Sequence, residues 1–520
     1  MLAYDELMAL PNLDSLANRE ALDKLATLID LAEQLELEEG TERALEWCER
    51  LEQRDFTPLE EPEFHYFWAN AWGDMQHHRH NDPKVAWAWD QPEQSNQILH
   101  LRRALNSTAF DQLPAMRRCQ ILTNLANQLN TAGRFVEALE YWTRALDLVP
   151  DFWMAQGNRG IALLTYGGAL YDDGHRDVFL IFAHDDLVTA LASEPILDAG
   201  GPPSAVAGFQ AKLNQVNAYR NVDRLREEFE LNNHSLGETA AEQSYRRWCL
   251  NNHLFLNPLN DVGPIPLAAR DVFALPGFVV PISKPPILIG FFNQMKQEFV
   301  SARWLYYEAL NASEMHFSDK DVSLFNTLDY PSYSLSVEKL KLAYRSAYSI
   351  FDKIAFFLNE YMDLGMKPDE ISFAKVWRAK WGEPVRGVFE DSENLPLRGL
   401  FWLSKDFFYR HLQEVTEPDA RALRDIRNHL EHKYFKVHEM LLQPAGAESE
   451  RGDLFTDTLA YSVERTDFEK KTLRLIKLAR AALIYLSLGM HREERRRAAS
   501  RPEGLIMQME LHTWDDERKR

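Results

Sequence analysis

Cysteine is nearly absent. Cys48, Cys119 and Cys249 are the only three in 520 residues, an odd number and widely spaced. That excludes a disulfide framework or a zinc module built on paired thiols, and predicts three reduced, mostly buried side chains of a cytoplasmic protein. Long apolar runs are missing too: nothing approaches the ~18 consecutive residues that a membrane-spanning helix needs. The first residues, Met1-Leu-Ala-Tyr-Asp-Glu, lack both the basic start and the apolar centre of a signal peptide. Positive charge is also short. A formal net charge of −21 argues against a protein held on nucleic acid by a broad basic surface, though it leaves room for a small basic site. The rest is ordinary for a globular chain, 45% hydrophobic and 26% charged, and long enough for two or three domains.

Residues 1–250 read as helix almost throughout, with 3.6-period apolar stretches and short polar breaks. The clearest unit runs from Cys119 to Pro150. Leu122, Leu125, Ala126 and Leu129 precede a break at Gly133; Phe135, Ala138, Trp142, Ala145 and Leu146 follow, and Pro150 closes it. Those spacings resemble the 34-residue tetratricopeptide repeat, in which small residues let two antiparallel helices approach closely. A further unit starts at Ala155 and departs from the pattern after Gly167-Gly168, and a looser one spans Leu28 to Leu51. Tyr66 to Met75 looks like a first helix whose partner, near Leu101 to Leu105, is delayed by an insertion. One repeat cannot bury its own face, so at least three should stack. Such a stack offers a concave surface for a peptide, a protein partner or a trigger; equally, it can serve only to buttress the other domain. His77-His78-Arg79-His80 carries no acidic or Cys partner at useful spacing and precedes Asn81-Asp82-Pro83, so it reads as a solvated helix end, not a metal site.

Tyr245 to Asp261 is an aromatic helix end passing into an Asn-rich segment, where Asn and Asp most simply cap and turn the chain. Arg246, Arg247 and His253 offer an alternative use there, as contacts to a phosphate. Pro264, Pro266, Pro276, Pro281, Pro285 and Pro286 then deny helix and mark residues 251–288 as an extended, semi-rigid connector.

Helices resume near Ile289 and continue to about residue 490, followed by a charged tail over 491–520. Phe291 to Asn311 is one helix; a long one, capped by Ser336, runs to about Met362; others cover Leu397 to Leu412 and Asp467 to Met490. Together they predict an all-α bundle behind the repeats. Arg492, Arg495, Arg496, Arg497 and Arg501 alternate with Glu493 and Glu494, which reads as a solvated helix end in preference to an RNA tether. The informative stretch lies between Arg421 and Leu442. Leu423, Ile426, Leu430, Tyr434, Val437 and Leu441 share one helix face, within an arc of ~80° at ~100° per residue. Arg424, Asn428, Glu431, His432, Phe435 and His438 fall away from it, with Arg427 just beside it. A core face thus backs onto a second face bearing Arg, Asn, His and an aromatic.

A bundle with Arg427-Asn428-x-x-x-His432 on a late helix resembles the HEPN superfamily, whose signature is an Arg, four to six residues and a His, often with a polar residue after the Arg. Tyr434 extends the likeness to the Arg-x4-His-x-Tyr form found in toxins of HEPN–nucleotidyltransferase pairs, and the wider arrangement is similar to bacterial HEPN proteins with tetratricopeptide repeats in front. A second register, Arg424 with His429, also exists, but those two side chains diverge on the helix wheel.

The resemblance implies a metal-independent endoribonuclease that needs no cofactor. Its expected roles are Arg427 on the phosphate, His432 as general acid or base, and Asn428 orienting one of them. Tyr434 and Arg424 are supporting candidates, with a carboxylate from Asp352 or Glu360. Arg427 and His432 lie ~140° apart on a helix, an incomplete site alone. The family likeness supplies a homodimer in which two motifs face one cleft, with Phe435 expected at the seam. A toxin-like or anti-phage role follows at the same level, as does nucleotidylation of Tyr434 by a partner enzyme. The alternatives are a HEPN domain that binds RNA or nucleotide without cleavage, and a helical interaction scaffold.

Overall fold

The computed structural model describes residues 1–80, 83–192, 203–280, 285–380, 382–409, 420–439, 459–500, 507 and 509–519. After a short α1 (Leu2–Met8), the N-terminal half is a series of antiparallel helix pairs. They are α2 (Asn18–Leu35) with α3 (Glu38–Leu51), α4 (Glu60–Arg79) with α6 (Pro92–Asn106), α7 (Ala115–Thr131) with α8 (Phe135–Leu148), and α9 (Trp153–Ala169) with α10 (Asp173–Ala192). The single turn α5 (Pro83–Ala86) lies in the insertion that delays the partner of α4. Two more helices, α11 (Pro203–Tyr219) and α12 (Val222–Glu228), pack on α10, and α13 (Ala240–Asn251) leads out. The C-terminal half holds α14 (Ile287–Leu310), α15 (Leu335–Tyr361), the turn α16 (Gly387–Glu390), α17 (Leu395–Phe408), α18 (Ala420–His432) and α19 (Arg465–Ser500). Among the described residues no helix is long and apolar enough to cross a membrane. The three cysteines are free and buried.

A single buried cluster of apolar side chains runs from Tyr4 to Met490, so the two halves share one core. Their join begins at a turn. Gly133, between α7 and α8, has φ +92°, and a Cβ there would sit 2.2 Å from the carbonyl oxygen of Leu395 at the start of α17. Gly399 answers from the other side, where a Cβ would come within 2.3 Å of the Gly133 oxygen. Only glycine tolerates both the backbone angle and the approach.

Beside this contact lies a buried ionic network. Asp406 of α17 accepts from Arg102 of α6 through both carboxylate oxygens at 3.1 Å, and from Arg134. Arg134 also donates to Glu137, which receives the Tyr485 hydroxyl of α19 at 3.1 Å. Burial alone would raise the Asp406 pKa, but Arg102 and Arg134 together hold it below the usual carboxylate range. A second bridge joins Lys405, buried on α17, to Asp90 at 2.7 Å.

The Asn- and Pro-rich connector is packed into this core. Arg480 of α19, 1% exposed, donates to the carbonyl of Asn257 at 2.9 Å and to Asp261 at 2.6 Å, and Asp261 also accepts from Tyr166 of α9 at 2.9 Å. Arg303 of α14 grips Asp271 at 2.8 and 2.9 Å and the Leu254 carbonyl at 2.8 Å. Within the segment Asn257 and Asn260 accept backbone N–H groups of Leu259 and Phe255, closing turns. At the other end of the half, α4 stops at Arg79, which pairs with Glu93 of α6 at 2.7 Å.

Three further boundaries differ from expectation. The cap of α15 is Ser334, whose hydroxyl accepts from Val337 N at 3.2 Å, while the Ser336 hydroxyl reaches back to the Ala309 carbonyl. Residues 491–500 continue α19 instead of starting a tail, with Arg496 and Arg497 paired to buried Glu493. The third difference is the largest. The motif helix ends at His432, and Tyr434–His438 forms β1, parallel to β2 (Ala460–Glu464) with Phe435 opposite Tyr461 and Val437 opposite Val463. The expected helix end at Leu441 and Leu442 lies outside the described residues.

Two stability predictions follow from the buried charges. Asp406→Asn leaves Arg102 and Arg134 facing one another without their shared anion and should cost ~3–5 kcal/mol in denaturant unfolding; a midpoint unchanged from the parent would refute the network's role. His65 and His100 meet within the core, Nδ1 to Nδ1 at 3.2 Å, and burial holds them near pKa 3 and 2. Unfolded histidine binds a proton near pH ~6.5. The folded state therefore loses stability as pH falls below that value, and a melting temperature should begin dropping there, well before carboxylates titrate. A flat profile between pH 7 and 5 would contradict it.

Candidate functional site

Helix α18 is fixed from below. Leu423 and Ile426 are fully buried and Leu430 nearly so. Two side chains of α15 hold its backbone: the Tyr344 hydroxyl donates to the Leu423 carbonyl, and Arg345 donates to the Leu430 carbonyl near the helix end. The second contact satisfies a carbonyl that lacks an intrahelical partner. Arg345 also sits 3.8 Å from Glu431. A helix so anchored has little freedom to rotate, and its polar residues keep a set direction.

Arg424, Arg427 and Asn428 are half-buried on that helix. Arg427 donates to the Asn428 side-chain oxygen at 3.2 Å, and its guanidinium lies 5.6 Å from the centre of the Tyr348 ring on α15. Burial, with Asp352 close by, pushes the Tyr348 phenol up to about 12, while Arg427 and Arg424 act the other way. Arg427 thus lies over one tyrosine whose phenol also feels the charges of Arg424 and Asp352, and Asn428 meets Arg427. Asp352 also accepts from Phe373 N at 3.4 Å. Glu360, exposed, lies two turns further along α15 and away from this group. Tyr348 itself is the residue the sequence reading overlooked; its i+4 spacing from Tyr344 was the available signal.

The remaining expected residues are placed differently. His432 is the last residue of α18, and its side chain lies outside the described residues. His429 of the alternative register turns to the sheet, its Nδ1 donating to the Asp425 carbonyl (2.7 Å) with its ring 5.0 Å from Tyr461. Tyr434 opens β1 and is 40% exposed; its hydroxyl meets that of Tyr333 at 3.4 Å. Phe435 is not at an exposed seam. It is 7% exposed, stacked on Tyr461 and packed against Phe468, because a strand sends residues 435 and 437 to the same side, into the core. Among the described residues no group of three His, Cys, Asp or Glu is arranged to hold a metal ion.

Residues 279–493 match the family model described as LA2681-like HEPN. This segment is a HEPN domain. It takes in α14 to α18, both strands and most of α19, and so includes the anchored helix with Arg427. The HEPN match begins ahead of α14, within the proline-rich segment, and ends just past Met490. No curated protein and no solved structure matches the chain.

The anchoring makes the two faces of α18 energetically distinct. Ile426→Ala should cost ~2–5 kcal/mol of stability through the cavity it leaves. Arg427→Ala should cost less than about 1 kcal/mol, the scale of its contact with Tyr348. Equal losses in urea titrations would mean that Arg427 is a structural residue of the HEPN core.

Proposed function

We propose that this chain is a metal-independent endoribonuclease that cleaves single-stranded RNA. The observation that carries the reading is the half-buried Arg427–Asn428 pair, with Arg424 beside it, on a helix whose opposite face is locked in the core of a HEPN domain. The RNA supplies its own nucleophile. Its 2′-hydroxyl attacks the adjacent phosphorus, the bond to the 5′-oxygen breaks, and the products are a 2′,3′-cyclic phosphate and a 5′-hydroxyl. Arg427 would neutralise the phosphorane oxygens, with its fork suited to phosphate geometry. His432 would move the proton between the attacking and leaving oxygens. Asn428 already accepts from Arg427 and would fix the direction of its guanidinium. Arg424 adds a second cation nearby, and Asp352 supports the group through Tyr348.

One motif is half a site, so the reading includes a homodimer in which the motif helices of two copies share a cleft. A toxin-like or anti-phage role fits a nuclease joined to tetratricopeptide-like helix pairs that would sense a trigger or a protein partner. A cleft of about 470 Å³ between α2, α4 and α7, lined by Arg19, Asp30, Tyr66, Asn70 and Arg117, is a place for such a contact.

The test is cleavage of a single-stranded RNA by purified protein in EDTA. The parent should cut, and Arg427→Ala and His432→Ala should each lose ~100-fold or more of the rate while retaining the parent's helicity. If both variants cut as the parent does, the site is elsewhere. Binding of RNA without any cutting by the parent would favour the non-catalytic alternative.

A further inference from the structure

Residues 311–334, which join α14 to α15, form an extended strap with one short 3-10 turn, Phe317–Asp319. Two of its four carboxylates face the body of the protein, while Glu314 and Asp321 are exposed: Asp319 accepts from Leu335 N at 2.9 Å, and Asp329 pairs with Lys436 of β1, itself 2% exposed. The backbone is tied down as well, with Ser332 N donating to the Val437 carbonyl at 2.7 Å. The large apolar side chains face solvent instead. Phe325 is 91% exposed, Phe317 75% and Tyr330 71%, with Met315, Leu324 and Leu328 all more than half exposed. Leu328 and Tyr330 are held at positive φ, +68° and +52°, a conformation bulky residues rarely adopt.

The amount of surface matters. At ~200 Å² per side chain, those six residues expose on the order of 800 Å² of apolar area. The largest apolar patch on a typical monomer is ~300–600 Å², whereas a specific interface takes ~800 Å² from each partner. A strap pinned to the body by Asp319, Asp329 and Ser332, with its aromatics outward over an interface-sized area, is half of a contact.

Its position indicates the occupant. The strap lies along β1, the strand that directly follows the motif helix, and Tyr333 of the strap meets Tyr434 at 3.4 Å between hydroxyls. A surface beside the motif is where a second motif must arrive if the site is composite. An apolar patch of this kind is also self-complementary across a two-fold axis. We infer that the 311–334 strap is the surface by which a second copy of this chain is held beside the motif helix. The inference rests on the composite-site reading above and adds the residues that do the holding.

The direct test compares the full chain with the triple variant Phe317→Ser, Phe325→Ser, Tyr330→Ser by light scattering and by RNA cleavage. The expected result is a parent at twice the chain mass and a variant at the chain mass, with cleavage lost although Arg427 and His432 are intact. A variant that stays dimeric overturns the strap and leaves the composite site standing. A monomeric variant that cleaves at the parent's rate keeps the strap as the dimer contact and overturns the composite site. A parent that is monomeric while cutting RNA overturns both. A second measurement does not depend on the triple variant folding. In Phe325→Cys the new thiol is the exposed one, because Cys48, Cys119 and Cys249 are buried. Its reaction with a maleimide should be several-fold slower at concentrations where the chain is dimeric than after dilution to monomer. A rate independent of concentration would overturn the proposal.

Discussion

Asp406 is the constraint on which the rest depends. An aspartate at the centre of a protein is tolerable only with its charge matched, and here Arg102 comes from α6 and Arg134 from the α7–α8 turn, both more than two hundred residues away in sequence. Neither arginine can leave without stranding the other charges in a medium that solvates them poorly. The helix pairs and the bundle therefore fold around a shared charge cluster, seated against the facing glycines Gly133 and Gly399. Arg480 and Arg303 repeat the device on the Asn-rich segment, pulling a stretch with little helix into the same core. The halves are joined by arginines set on buried carboxylates and turn carbonyls.

That body sets the site. α15 holds α18 by two carbonyls, the core holds it by Leu423 and Ile426, and the polar residues on its other side are left facing outward around Tyr348. The arrangement spends rigidity on direction: a guanidinium that must meet a phosphate is useful only if the helix beneath it does not turn. Immediately past the motif the chain becomes a strand, and that strand anchors the 311–334 strap. The proposed chemistry and the proposed self-association thus sit next to each other in sequence.

Local patterns were legible in the sequence, and distant pairings were not. The α7–α8 unit reads from Cys119 to Pro150 because its apolar spacing, its glycine and its closing proline all lie within one repeat. The delayed pairing of α4 with α6 was legible for the same reason. The turn into β1 was hidden because Tyr434 and Val437 fit a helical period as well as a strand, and the decision is made by β2, more than twenty residues on. Phe435 was consequently assigned to the surface when the strand buries it. The prolines between residues 264 and 280 leave no α-helix there, but exclusion of α-helix is not exposure; Arg480 and Arg303, which grip the segment's start, lie on other helices. Tyr348 escaped notice because a tyrosine on a core face looks like packing until an arginine is found above it.

We propose that the outward, polar face of the anchored α18 directs an RNA 2′-hydroxyl at its own phosphodiester. The most direct measurement is the chemistry of the cut ends, read by mass spectrometry on a short single-stranded RNA incubated with the purified chain in EDTA. The account predicts a 2′,3′-cyclic phosphate on one fragment and a 5′-hydroxyl on the other. A 3′-hydroxyl with a 5′-phosphate would mean that water was the nucleophile, and would contradict it.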